Sequence, residues 1–116
     1  MIALLLAMAQ AAPVSPTTPD PIAVPAQLLS GGPDSRDYPK VALAAGAQGV
    51  THARILVGQD GRALSCDIVG SAGHPALDQQ TCRLALYRMK FRPATDKDGL
   101  SRPQSVVLPI RWALGE

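Results

Sequence analysis

The chain has 116 residues, of which 47% are hydrophobic and only 3% aromatic, and its formal net charge at neutral pH is +2. This length holds one small domain, whose core must consist mainly of Ala, Val, Leu and Ile side chains. So small a net charge does not indicate a nucleic-acid-binding protein, which would need clustered basic residues and exposed aromatic rings. Basic residues do cluster between residues 83 and 92; a solvated helix face explains them, and a partner-binding patch is the alternative.

The first twelve residues, MIALLLAMAQAA, are an apolar run followed by small residues. With Ala7-Met8-Ala9 or Ala9-Gln10-Ala11 as a cleavage site, this run resembles a secretory signal peptide over residues 1–11. It is shorter than the roughly 20 apolar residues that span a bilayer, and no Lys or Arg precedes it. We expect the run to be removed on secretion, unless the true translation start lies upstream and the run belongs to a membrane anchor.

Residues 12–33 contain proline every few positions and show no apolar periodicity. Because proline fixes φ and removes a backbone donor, this stretch is predicted to be an extended, semi-rigid tether rather than a folded element. The folded domain is therefore expected over residues 34–116.

Residues 49–71 alternate between apolar and polar side chains on both sides of the sequence Gly58-Gln59-Asp60-Gly61. Two β-rich runs around a turn whose last glycine can take positive φ predict a β-hairpin. A two-stranded ribbon is marginally stable alone, so its apolar face must be covered. That face would carry Thr51, Ala53, Ile55 and Val57 from the first strand and Leu64, Cys66 and Ile68 from the second.

Two helices are predicted beside the hairpin. The first spans residues 41–45, which are rich in alanine and leucine, and ends at Gly46 or Gly49. The second begins at Pro75 and ends before Pro93, because the residue before a proline avoids the α region. Its apolar half would cover the hairpin with Leu77, Thr81, Cys82, Leu84, Ala85, Leu86 and Met89.

Residues 104–114 alternate again and predict a third strand. Proline cannot donate a hydrogen bond to a neighbouring strand, so Pro109 on the outer face places this strand at an edge of the sheet. The pattern leaves open whether the missing donor belongs to the free side of that edge. The inner face would carry Val106, Leu108, Ile110 and Trp112.

The predicted element order is helix, strand, strand, helix, strand. It favours an α+β fold with two layers, in which the amphipathic helix covers one face of a three-stranded sheet, antiparallel or mixed, and a short helix precedes the sheet. We expect the strand order 2-1-3, with the last strand beside the first.

Cys66 and Cys82 are the two cysteines of the chain. They lie on the inner face of the second strand and on the inner half of the covering helix, so we expect them to meet. A structural disulfide is the leading interpretation for a secreted chain. The alternatives are two buried free thiols, a redox-active pair without the usual C-x-x-C spacing, and a zinc site completed by His52 and His74.

No motif indicates catalysis. Ser71, His74 and Asp78 lie close in sequence, but no nucleophile-elbow motif surrounds them and no glycine-rich phosphate loop is present. We therefore predict a protein without enzymatic activity, cofactor or metal.

A series of short motifs resembles the C-terminal domain of TonB-type energy transducers. The resemblance covers about Asp37–Leu114, and the motifs follow the order of that family. The series comprises Tyr38-Pro39 with Ala42, Gly49, Asp60-Gly61-Arg62, Leu77-Asp78, Arg88-Met89-Lys90-Phe91-Arg92-Pro93-Ala94 and the apolar last strand.

This resemblance implies a TonB C-terminal-like fold and a protein-binding module in the periplasm of a Gram-negative bacterium. In the family, the last strand pairs with a segment of a TonB-dependent outer-membrane receptor by β-strand addition, as part of energy-dependent transport. The partner here would be such a receptor or another periplasmic protein, with no nucleic acid involved. The binding residues implied are Gln104, Ser105, Val106, Val107, Leu108, Ile110 and Arg111.

One alternative function stays open. The chain would then be a soluble periplasmic accessory domain, in one version a strand-exchanged homodimer, that neither binds receptors nor transduces energy. Membrane association is expected only if the natural N-terminus includes an anchor.

Overall fold

The computed structural model describes residues 21–114. The predicted signal peptide and the first part of the predicted tether lie outside the described residues. In chain order the elements are β1 (Gln27–Ser30), a 3-10 turn (Ser35–Asp37), α1 (Lys40–Ala44), β2 (Gly49–Val57), β3 (Ala63–Gly70), α2 (Pro75–Tyr87), β4 (Lys90–Arg92), β5 (Ala94–Thr95), β6 (Ser101–Arg102) and β7 (Gln104–Trp112).

The main sheet has three strands in the order β3-β2-β7, and both pairings are antiparallel. The predicted α+β architecture is confirmed, and so is the position of the last strand beside the first strand of the hairpin. Since β2 is central, β3 and β7 are both edge strands. The shorter pairs β1-β4 and β5-β6 lie outside this sheet.

The core forms between α2 and the inner face of β2, as the two amphipathic patterns predict. Thr51, Ala53, Ile55 and Val57 of β2 are fully buried, and α2 buries Leu77, Thr81, Leu84 and Ala85 against them. Helix α2 begins at Pro75 as predicted. The predicted first helix is present as α1, and the chain leaves it through Gly46, which has a φ of +64°.

The inner face of β3 is less covered than its sequence pattern predicts. Leu64 is 61% exposed and Ile68 is 36% exposed, whereas Cys66 between them is half-buried under α2. The register of β3 against β2 also shifts twice, near each end of the strand. The shift near the turn places Ala63 rather than Leu64 opposite the buried Val57, and Ala63 packs against the core in its place.

Part of the stretch predicted to be a tether is folded. Ala26 is buried, and β1 pairs antiparallel with β4 through Leu28 and Phe91. The prolines that indicated an extended tether are absent from residues 26–30, so the backbone donors needed for pairing are available there.

Helix α2 ends earlier than Pro93 alone predicts. The N–H groups of Arg88 and Met89 both donate to the carbonyl of Leu84, and the helix stops at Tyr87. Residues 90–92 then form β4, the partner of β1. Leu86, predicted on the inner half of the helix, is 39% exposed, because it lies two and a half turns after the buried Leu77 and therefore on the opposite side of α2.

The hairpin turn is built as its glycines predict. Gly61 has a φ of +83°, and its N–H donates to the carbonyl of Gly58 over 3.0 Å. The N–H of Gly58 donates to the carbonyl of Arg62 over 2.9 Å, which closes a type I turn with a glycine bulge. The carbonyl of Gly61 in turn accepts from the N–H of Phe91, so the turn docks on β4.

Candidate protein-binding edge

Strand β7 contains all the residues that the sequence predicts to bind a partner strand. It pairs with β2 over nine residues without a register shift, from Gln104 opposite Val57 to Trp112 opposite Gly49. Within residues 21–114 no strand pairs with its other side. Ile110 is buried, Val106 and Leu108 are half-buried, and Val107 is 51% exposed.

The hydrogen bonds of the hairpin turn show which backbone groups of β7 face outward. The N–H of Gly58 points towards β3, because it donates to Arg62. In a trans peptide unit the preceding carbonyl, that of Val57, points the opposite way, towards β7. Strand residues alternate in this direction, so every second residue of β2 from Val57 back to Gly49 bonds to β7.

The partners of those β2 residues are the even-numbered residues of β7. Gln104, Val106, Leu108, Ile110 and Trp112 therefore direct their backbone groups towards β2. The N–H of Leu114, two residues further on, donates to Oε1 of Gln48, just before β2, which agrees with this phase.

The odd-numbered residues of β7 form its free side. Ser105, Val107 and Arg111 each present an N–H and a carbonyl there, and Pro109 presents a carbonyl only. Pro109 lies opposite His52 in a pair that exchanges no hydrogen bonds, so its missing donor costs the native sheet nothing. The sequence alone left this orientation open, because it depends on which pairs along β2 and β7 are hydrogen-bonded.

The other edge of the sheet, β3, has a different character. Its register shifts between His52 and Ala53 of β2 and again between Leu56 and Val57. Such bulges twist an edge and interrupt its row of donors and acceptors. Of the two edges, β7 is therefore the longer and more regular template.

Trp112 anchors the end of β7 in the core. Its indole Nε1 donates to Oγ1 of Thr81 over 2.8 Å, and its ring meets Tyr38 edge-on at 5.3 Å between ring centres. The hydroxyl of Tyr38 donates to the carbonyl of Ala47 over 2.6 Å. These contacts join β7 to α2 and to the segment before β2, which gives the free edge a rigid support.

Arg111 lies between two shallow grooves at this end of β7. One groove, of about 370 Å³, opens towards the start of β2, and the other, of about 230 Å³, opens towards Tyr38 and residues 33–35. Within the described part of the chain, the guanidinium of Arg111 has no hydrogen-bond or ion-pair partner. It is available to a bound segment.

Cys66 and Cys82 lie at disulfide-bonding distance, as the two inner faces predict. Their Cα atoms are 5.5 Å apart and their Sγ atoms 2.12 Å apart, which joins edge strand β3 to α2. His52 lies on the uncovered face of the sheet, and His74 precedes α2 without capping it through its side chain. Among residues 21–114 no group of three or more His, Cys, Asp or Glu side chains could hold a metal ion.

Asp78 ties the start of α2 to the sheet. Its carboxylate accepts hydrogen bonds from the hydroxyl of Ser71, the N–H of Ala72 and the hydroxyl of Thr51. Burial opposes ionisation, but the hydrogen bonds outweigh it and lower the pKa of Asp78. The side chain of His74 makes no hydrogen bond to Ser71 or Asp78, so the arrangement of these three residues is that of a helix terminus rather than a catalytic triad.

Arg88 holds the N-terminal segment against the end of α2. Its guanidinium forms an ion pair with Asp37 and donates to the carbonyls of Gly31 and Gly32. The hydrogen bond from Arg88 lowers the pKa of Asp37 below its ordinary 3.8 although burial opposes this shift.

Acid should destabilise the protein through this pair. Because the pKa of Asp37 is lower in the folded than in the unfolded chain, its stabilising contribution is complete above the unfolded pKa and is lost as the pH falls below it. We expect the free energy of unfolding to fall between about pH 5 and about pH 2, and to fall less steeply in Asp37→Asn. Urea titrations across this range measure both slopes.

Asp67→Asn is the matched control, since it removes an exposed carboxylate for which no ion pair is found in residues 21–114. An acid dependence in Asp37→Asn as steep as in the wild type would contradict the assignment.

Comparison with known protein families identifies the family of this chain. The profile of the family described as Gram-negative bacterial TonB protein C-terminal matches residues 34–114. The chain belongs to this family. TonB C-terminal domains are periplasmic protein-interaction domains rather than enzymes, and outer-membrane receptors are among the proteins they contact. Comparison with curated proteins finds no significant match. Within residues 21–114 no helix of this TonB C-terminal domain is long and apolar enough to cross a membrane.

Proposed function

We propose that this chain is a periplasmic module that binds an extended segment of another protein by β-strand addition to the free side of β7. The segment would belong to a TonB-dependent outer-membrane receptor or to another periplasmic protein. The observation that carries the proposal is the regular edge itself, nine residues long and unpaired within residues 21–114. Residues 1–11 as a signal peptide and the proline-rich residues before β1 as a tether would complete this periplasmic module.

Backbone groups would supply the affinity of such a site. Ser105, Val107 and Arg111 offer a donor and an acceptor each, and an added strand would satisfy them as β2 satisfies the other side. Trp112 and pairing along the whole length of β2 hold this edge in place. A preformed edge loses little conformational freedom on binding.

Side chains on both faces of the sheet would add to this recognition. On the face towards α2, an added strand would cover the half-buried Val106 and Leu108. On the opposite face it would meet Val107 and the guanidinium of Arg111. The exposed apolar area of Val107 would be removed from water, which favours association.

The direct test is a titration of the ¹⁵N-labelled protein with synthetic peptides taken from the periplasm-facing segments of outer-membrane receptors. A bound peptide should shift the amide signals of residues 104–112 more than those of β3. Val107→Pro removes one outward donor without removing a bond to β2, and we expect it to weaken binding at least about tenfold.

Val107→Ala is the matched control, because it shortens the same side chain but keeps the donor. It should weaken binding less than Val107→Pro does. If no such peptide shifts the β7 amides, or if the proline variant binds as well as the wild type, the proposed site is wrong.

A further inference from the structure

We infer that Pro109 determines which strand can occupy the free side of β7, by excluding a second copy of this chain while leaving room for a foreign segment. The inference rests on the proposed use of this edge for strand addition. Pro109 lies within this edge but has no backbone N–H to donate to a partner.

Pro109 blocks one hydrogen-bonding position on the free side of β7. Its nitrogen faces outward, since its pair with His52 exchanges no hydrogen bonds. The pyrrolidine ring occupies the place of the amide hydrogen, so a partner carbonyl cannot approach this nitrogen. The carbonyl of Pro109 still accepts, and the donors of Ser105 and Val107 before it and of Arg111 after it are intact.

In a symmetric dimer, Pro109 would interrupt the pairing twice. Two identical β7 strands that pair around a two-fold axis each bring one proline into the shared ladder. Every symmetric register that overlaps both Pro109 residues therefore loses two hydrogen bonds and meets two rings. A symmetric pair that avoids both prolines can use only Ser105 and Val107 of each copy, whereas a foreign strand can also reach the carbonyl of Pro109 and the backbone of Arg111.

A foreign segment meets one proline only. It can pair along residues 104–108, and it can bulge, end or place its own proline opposite Pro109. Beyond that point Arg111 again offers a backbone donor, and its guanidinium, which has no partner within residues 21–114, lies beside the grooves. The cost of Pro109 is therefore smaller for a foreign strand than for a symmetric copy.

The opposite edge of the sheet supports this interpretation. Strand β3 is bulged near each end, a common protection of edge strands against self-association. Neither edge thus offers a long regular row of donors to a second copy. Of the two, only β7 keeps a continuous stretch that a partner can use.

Pro109→Ala tests the inference without any peptide. We expect the wild type to sediment as a monomer and Pro109→Ala to form a dimer, with a self-association constant at least about tenfold larger. In the dimer the amides of residues 105, 107, 109 and 111 should become protected from hydrogen exchange. Sedimentation equilibrium and exchange followed by NMR measure these two results.

Two controls test whether self-association depends on a proline on the free side of β7. Pro103→Ala removes an exposed proline outside β7 and should stay monomeric. Val107→Pro/Pro109→Ala moves the proline by two residues on the same free side and should restore the monomer. Protection of the even-numbered β7 amides, which bond to β2, would show that each variant is folded.

The inference is overturned if Pro109→Ala stays monomeric over the range tested, if the wild type itself dimerises through β7, or if either control dimerises. Failure of the proposed receptor binding is a separate result. It would appear in the peptide titration, whereas the self-association of Pro109→Ala is measured in the absence of peptide.

Discussion

Replacing Cys66 and Cys82 together by serine should lower the free energy of unfolding by about 3 kcal/mol. The bridge joins residues 16 apart, so it restricts the unfolded chain over a loop of that size. Small domains have total stabilities of about 5–15 kcal/mol, so this loss is a large share. The disulfide is also important for holding β3 against α2, because Leu64 and Ile68, beside Cys66 on β3, are partly exposed and add little packing there.

Urea unfolding of the oxidised wild type, the reduced wild type and the double serine variant measures this effect. The reduced wild type and the variant should agree with each other and fall below the oxidised protein. Mass spectrometry under non-reducing conditions should show the oxidised chain two hydrogens lighter than the reduced one. Equal stability of all three samples, or free thiols in protein never exposed to reductant, would contradict a structural disulfide.

Gly61→Ala should cost about 3 kcal/mol, the second large effect. A Cβ at this position would lie 2.3 Å from the carbonyl oxygen of Phe91, a backbone atom that cannot move away alone. The φ of +83° adds strain for any residue with a Cβ. Relief would require the hairpin turn to separate from β4 and break the hydrogen bond from Phe91 to Gly61.

Gly73→Ala separates the two causes. Gly73 has a φ of +89°, but nothing lies within 4 Å of the Cβ it would gain. This variant should therefore show the conformational strain alone, about 1 kcal/mol. If both variants lose the same stability in thermal or urea unfolding, the close approach of the turn to β4 is not what requires glycine at position 61.

The parts of the fold that could be predicted are those with a strong period. The alternation of Thr51, Ala53, Ile55 and Val57 reflects a strand that is buried on one face only, and all four are fully buried. The apolar half of α2 correctly predicts the helix face that covers this strand. Pro109 correctly indicates that β7 is an edge strand. These patterns arise because burial acts on the same side of an element along its whole length.

The pairing of β1 with β4 could not be predicted in this way. Each strand has three or four residues, too few for a period, and the paired residues lie 60 or more positions apart in the chain. The exposure of Leu64 and Ile68 is likewise a matter of position. Side chains on the inner face of an edge strand have the same sequence pattern whether or not a helix reaches them.

The candidate site, too, could be predicted from the sequence only in part. Its strand and its residues follow from the family resemblance and from the alternation, but the phase of the hydrogen bonds along β7 does not. That phase is set by the turn, where Gly58 bonds to Arg62. It separates the predicted residues that bond to β2 from Ser105, Val107 and Arg111, whose donors have no partner strand within residues 21–114.

Hydrogen exchange of the β7 amides tests the central proposal most directly. In the free protein the amides of Val106, Leu108 and Ile110 should exchange slowly, and those of Ser105, Val107 and Arg111 should exchange fast. A saturating receptor peptide should slow the second set and leave the first set unchanged. Fast exchange of Ser105, Val107 and Arg111 in the saturated complex would contradict strand addition at this edge.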